Sequence, residues 1–186
     1  MYWPLYNAIH TLNAGGVIAY PTEAVWGIGC DPYNEQALAQ ILQIKQRDSK
    51  KGMLIVASDI GQVDYLLKGV SKEQRAKMLA SWQPGQRSTT WLVPHRGLVP
   101  PAVHGQFDTV AIRVSEHKGI QALCDGFGGP VVSTSANFSG HPAATNIMQV
   151  RKFLGSQLDF ILPGKLGNQA RPSRIIDAAS DRIIRD

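Results

Sequence analysis

Cysteine is scarce in this chain: two of 186 residues, Cys30 and Cys124, far apart and with no CxxC pair. A disulfide framework and a zinc ribbon are thereby excluded, and reduced thiols in a cytoplasm are expected. The five histidines, His10, His95, His104, His117 and His141, show neither HExxH nor paired-ligand spacing, so they read as loop or surface residues and no protein-bound metal is expected. Long apolar runs are missing too. No window approaches the roughly 18 apolar residues that read as a bilayer span, and residues 1–7 lack a basic stretch leading into an apolar core. Neither export nor membrane insertion is expected, so the Asn137-Phe138-Ser139 sequon has no route to glycosylation.

Familiar catalytic signatures are absent as well. Gly27-Ile28-Gly29 begins like a dinucleotide loop, but Pro32 stands where the third glycine belongs. There is no Walker A lysine motif, and the serine-rich run 133–139 has no GxSxG elbow to make a nucleophile. What remains is 44% hydrophobic, 18% charged, with 18 Gly and 11 Pro, the profile of one compact domain spanning 1–186. Nineteen Lys and Arg against 14 Asp and Glu leave a charge of +5, which favours polyanionic or phosphorylated partners.

Leu5, Ala8, Ile9 and Leu12 recur at helical spacing between Pro4 and the stop signal Gly15-Gly16. Val17 to Tyr20 reads as a buried strand halted by Pro21. A helix through Ala37, Leu38, Ile41 and Leu42 is capped near Asn34, and another runs from Ser71 to Trp82. Further strands are expected at 53–57, 91–93, 110–114, 131–133 and 159–162, a helix at 145–154, and apolar pairs Ile175-Ile176 and Ile183-Ile184 close the pattern. This alternation predicts an α/β domain. Because 84–108 offers no clear crossover helix, we expect a twisted, mixed parallel and antiparallel open sheet with flanking helices.

Four polar segments interrupt this pattern. Pro21-Thr22-Glu23 leading to Trp26-Gly27 delivers a hydroxyl and a carboxylate at a strand end, or else forms an ordinary turn that Thr22 caps. Lys45-Gln46-Arg47-Asp48-Ser49-Lys50-Lys51 crowds four cations at a helix exit. It is either a solvated basic loop or, if extended so that residues two apart face one way, a clamp for a triphosphate. Arg113 interrupts the apolar strand 109–114 and wants an anion, either a ligand carboxylate or a structural Asp or Glu. Ser133-Thr134-Ser135-Ala136-Asn137-Phe138-Ser139-Gly140 gathers hydroxyls after a buried strand, suited to ligand or phosphate binding or forming a polar loop. We expect these segments to converge at strand ends in one basic cavity.

Taken together and in this order, Pro21-Thr22-Glu23 with Trp26-Gly27, Lys45-x-Arg47, Ala111-Ile112-Arg113 and the 133–140 run resemble the YrdC-like family of L-threonylcarbamoyladenylate synthases, over 16–185. The resemblance implies a cytoplasmic nucleotidyltransferase that condenses ATP, accompanied by Mg2+, with L-threonine and bicarbonate or CO2, yielding pyrophosphate and threonylcarbamoyl-AMP for the threonylcarbamoyl-adenosine of tRNA. It implies Lys45 and Arg47 as catalytic clamp with Lys51, nucleotide contacts at Thr109, Ser135, Asn137 and Arg185, and a threonine pocket of Thr22, Arg113, Ser133 and Ser173. Two departures stand out: Arg174 where the family often has Thr, and the run Trp82 to Trp91, about three residues longer than the family's Trp-Pro-Gly-Pro-x-Thr entry. The likeness is to the short form, which would need tRNA-modification partner proteins. The competing reading is a non-enzymatic module that binds RNA, such as double-stranded ribosomal RNA during processing, resting on the +5 charge.

Overall fold

A computed structural model describes residues 2–169 and 172–186. In chain order the elements are α1 (Trp3–Asn13), β1 (Ile18–Pro21), β2 (Trp26–Gly29), α2 (Glu35–Lys45), β3 (Leu54–Ala57), α3 (Lys72–Ser81), β4 (Thr89–Pro94) and α4 (Pro101–His104). There follow β5 (Thr109–Val114), α5 (Lys118–Phe127), β6 (Val131–Ser135), α6 (Ile147–Leu154), β7 (Phe160–Ile161), β8 (Arg174–Asp177) and β9 (Ile183–Arg185). Local chemistry sets several boundaries as expected. Pro4 sits in the first turn of α1, the Asn34 side chain accepts from the Ala37 amide to open α2, and Ser71 and Gln74 form a reciprocal capping box on α3.

The nine strands form one sheet in the order β7-β1-β2-β6-β3-β5-β4-β8-β9. Three neighbouring pairs are parallel, β7 with β1, β3 with β5 and β4 with β8, and the other five are antiparallel, so the sheet is mixed as the sequence predicts. Its two faces carry separate cores. Ala8, Ile9 and Leu12 of α1 and Ile120, Leu123 and Cys124 of α5 pack with Ile18, Tyr20, Val56 and Val131 on one face. On the other, Leu38 and Ile41 of α2, Met78 of α3 and Val150 of α6 join Ile28, Ile55, Trp91, Ile112 and Val132. Fully burying each such aliphatic side chain stabilises the fold by about 1.5–3 kcal/mol.

Three elements escape the sequence reading, β2, α4 and α5; glycine is the reason in β2, and the four-residue α4 is too short to show a period. In β2 a Cβ at Gly29 would stand 1.8 Å from the Val132 carbonyl oxygen, so close approach to β6 demands a bare backbone that carries no strand signal. In α5 Ile120, Leu123, Cys124 and Phe127 stand at helical spacing, a local signal the sequence reading passes over, and a Cβ at Gly126 would stand 2.2 Å from Cδ1 of Ile9, so the glycine lets α1 lie against it. Pro21 does not halt β1 but is its last residue, opposite Trp26 in the hairpin with β2.

Candidate active site

The two-residue period of strands turns one strip of the sheet into a binding surface. Val131 packs under α5, and Ser133 and Ser135 follow on the same face. Leu54 and Val56, Ala111 and Arg113, and Thr90 and Leu92 alternate likewise on β3, β5 and β4. Beyond the cover of α1 and α5 this face borders a cavity of about 580 Å3. It lies over the sheet and reaches the strand ends: Thr90, Arg113 and Ser133 stand within strands, and Thr22, Ser88, Thr109, Ser135, Ser173 and Arg185 at or beside strand termini.

At one end is Arg113, buried, with Nη2 3.2 Å from Glu23 Oε2 and Nη1 donating to Ser88 Oγ at 3.3 Å. Both readings of this arginine therefore meet in one residue, since it has a structural carboxylate partner and also lines the cavity. Its Nε is buried with no hydrogen-bond partner among the described residues. Glu23 is held on its far side by Ser115, whose hydroxyl donates to Oε1 at 2.5 Å. Burial alone would raise the Glu23 carboxyl, but the Arg113 guanidinium and then Ser115 hold it below its usual range. The Thr22 hydroxyl donates to Val25 O at 2.7 Å, closing the β1–β2 turn, which leaves its oxygen lone pairs as acceptors. Gly27 is bare here for a reason: a Cβ would stand 3.0 Å from Thr22 Cγ2 and 3.4 Å from Ser133 Oγ.

Arg47 and Lys51 line the opposite region. The extended Lys-x-Arg geometry expected for this segment is corrected: Lys45 is the last residue of α2, Gln46 is left-handed at φ 48°, and Ser49–Lys51 is a 3-10 turn capped by Asp48. The two cationic heads consequently do different things. Arg47 Nη2 donates to Gly52 O at 2.9 Å, and its buried Nε has no partner among the described residues. Lys45 is buried, does not line the cavity, and directs its ammonium to three oxygens, Ser135 O, Asn137 O at 3.0 Å and Asn137 Oδ1 at 2.8 Å. Ser135 Oγ also donates to Asn137 Oδ1 at 2.7 Å, and the Ser139 amide donates to Lys45 O at 2.8 Å. The 135–139 loop is thus tied to the end of α2, with Ser135 on the cavity and Asn137 behind it. Burial, with the charge of Arg47, pulls the Lys45 ammonium down to about 7.

Ser173, Ile184 and Arg185 form a third side, and Thr109 lines the cavity at the start of β5. The Ser173 and Thr90 hydroxyls lie 2.9 Å apart, and Arg185 Nη2 donates to Ser173 O at 2.8 Å. Sequence reasoning missed Ser88 and Thr90, which fall in strand-entry positions with no motif. It also missed the pairing role of Glu23, whose partner is 90 positions away. His104, the last residue of α4, and Phe107 in the loop after it help line the cavity and gave no signal because neither belongs to a motif.

One cavity thus joins a buried arginine flanked by hydroxyls to a second region with Arg47 and Lys51. The Sua5/YciO/YrdC family model, described as "Telomere recombination", matches residues 10–186. The chain belongs to the Sua5/YciO/YrdC family. Within that family it is 50% identical over 181 residues to a threonylcarbamoyl-AMP synthase of Saccharophagus degradans, covering 97% of this chain and 93% of the relative. A threonylcarbamoyl-AMP synthase of Pseudomonas fluorescens is 45% identical over 183 residues, covering 98% and 97%. The crystal structure of P. abyssi Sua5 complexed with L-threonine superposes with a TM-score of 0.85 at 28% identity, over 94% of this chain and 51% of that one. This Sua5/YciO/YrdC chain therefore spans about half of that Sua5 protein and nearly the full length of its bacterial relatives.

Proposed function

We infer that the chain is a threonylcarbamoyl-AMP synthase, an enzyme of the nucleotidyltransferase type that uses ATP and L-threonine. The observation that carries this reading is the near full-length identity to bacterial synthases of that name. The cavity supports it, having a carboxylate-sized guanidinium site and a separate cationic region in one volume. No relative's name favours the RNA-binding module. RNA affinity that falls steeply with salt and ignores ATP would be its signature.

The chemistry proposed is a two-stage condensation. The threonine amine adds to CO2, supplied from bicarbonate, giving a carbamate and releasing a proton. A carbamate oxygen then bonds to the α-phosphorus of ATP as the bond to pyrophosphate breaks, leaving threonylcarbamoyl-AMP. Anionic oxygens must approach one another, so the protein's task is to neutralise charge and fix geometry. In this reading Arg113 pairs the threonine carboxylate through its planar fork, and Thr22, Ser133 and Ser173 surround the rest of the amino acid. Arg47 and Lys51 hold the phosphates, with Thr109, Ser135 and Arg185 as further nucleotide contacts. Lys45 and Asn137 serve the nucleotide through the 135–139 loop that they lock. Glu23 is the acidic side chain among the described cavity residues and is engaged by Arg113 and Ser115, so magnesium would arrive held by the ATP phosphates. We further propose that residues 1–186 act as one domain and that the adenylate is passed to tRNA-modification proteins, because a mixed anhydride is exposed to hydrolysis.

Product analysis with ATP, bicarbonate and each amino acid in turn tests the reaction. Pyrophosphate and a carbamoyl adenylate should form with L-threonine, and pyrophosphate release indifferent to threonine would overturn the assignment. Arg47→Ala should weaken ATP binding roughly ten- to hundredfold, the worth of one charge-assisted contact to phosphate, with the fold intact. Calorimetry showing unchanged ATP affinity would remove Arg47 from the clamp.

A further inference from the structure

The tail strand β9 brings Ile184 and Arg185 to the cavity, where the Arg185 guanidinium donates to Ser173 O. Its three residues are exposed, it is an edge strand, and its ladder to β8 slips register between Ile175 and Ile176. Burial and then the charge of Arg113 pull the Arg185 guanidinium below its ordinary range, so the two cations repel across the cavity. Something must oppose that repulsion when no phosphate is bound. The turn before β9 is anchored by Asp181, 2.6 Å from Lys77 on α3. The other end is anchored by Asp186, whose Oδ1 accepts from Arg174 Nε at 2.7 Å and from Arg87 Nη1 at 2.8 Å. Hydrogen bonds from Arg174 and Arg87 hold the Asp186 carboxyl below its usual range, so it stays ionised at neutral pH.

Arg174 belongs to β8 and Arg87 to the loop entering β4, so one carboxylate ties β9 to two segments of the same cavity wall. We propose that Asp186 is a positioning residue, a clasp that uses Arg87 and Arg174 to keep β9 seated so that Arg185 stays on the cavity beside Ser173. Each arginine supplies one of the two hydrogen bonds that Oδ1 accepts.

The inference rests on reading Arg185 as a nucleotide contact, and its test separates the two. Asp186→Asn keeps the shape and removes the charge. The variant should fold normally, raise the KM for ATP about three- to tenfold with kcat nearly unchanged, and speed hydrogen exchange of the 183–185 amides. Asp186→Glu should restore most of both properties. Adding Arg185→Ala to Asp186→Asn should raise the KM little beyond Arg185→Ala alone, because a seated strand without its guanidinium has nothing left to position. Unchanged exchange at 183–185 in Asp186→Asn overturns the clasp. An Arg185→Ala enzyme with normal KM for ATP overturns instead the nucleotide role on which the clasp's effect on activity depends.

Discussion

Replacing Arg113 by Lys should cut threonine-dependent pyrophosphate release by about a hundredfold while ATP binding barely changes. Lysine keeps the positive charge but loses the fork, and an ammonium cannot offer two parallel N–H groups to one carboxylate. The loss reflects a charge-assisted hydrogen bond of roughly 1.5–3 kcal/mol, made by a buried guanidinium. Because Arg113 also pairs with Glu23 at 3.2 Å, a purely structural role makes a different forecast. The carboxylate would then be left without its partner, the β5 strand would be disturbed, and melting temperature, threonine use and ATP binding would fall together. Melting temperature, ATP affinity and turnover measured on one preparation decide the matter, and a folded variant with normal threonine turnover refutes the pocket.

Lys45→Met should lower both stability and ATP affinity, and the coupling is the informative part. The substitution takes the ammonium from Ser135 O, Asn137 O and Asn137 Oδ1, and each hydrogen bond from a charged group is worth about 1.5–3 kcal/mol. A net loss of about 3 kcal/mol, after relief of the buried charge, would lower the melting temperature by roughly 6–12 °C in a protein of this size. Were Lys45 itself a phosphate ligand, affinity would drop with little change in melting temperature. The pH dependence has a definite sign. Below about 7 the ammonium is charged in the folded and the unfolded chain alike; between about 7 and the ordinary lysine value of 10.5 the unfolded chain keeps a proton that the folded chain has released. Folding therefore gains from this site as pH rises through that window, and the gain should vanish in Lys45→Met. Equal slopes of stability against pH in the two proteins would show that Lys45 is not depressed.

The legibility of the chain followed the range of the interaction. Signals carried by neighbours in sequence were readable: Pro4, Asn34 and Ser71 opening helices, and Arg113 conspicuous in an apolar strand. Strand β2 was not, since Gly29 is there for close approach to Val132, which no local pattern records; helix α5 does carry a local signal in Ile120, Leu123, Cys124 and Phe127 that the reading passed over. The basic segment was found by its charge but its shape was misjudged, because the left-handed Gln46 that turns Arg47 away from Lys45 carries no glycine or asparagine signal.

By itself the sequence determined the α/β class, the mixed sheet and the residue types of the site, because burial periodicity and isolated polar groups in apolar strands are written along the chain. Only the tertiary structure decided that Arg113 faces Glu23, that Lys45 supports a loop rather than facing the cavity, and that Asp186 joins Arg87 to Arg174. Those pairings span 90, 92, 99 and 12 positions. A charged side chain shows in sequence that it needs a partner, but which partner it meets depends on strand order and register, and these are set by the packing of the whole sheet.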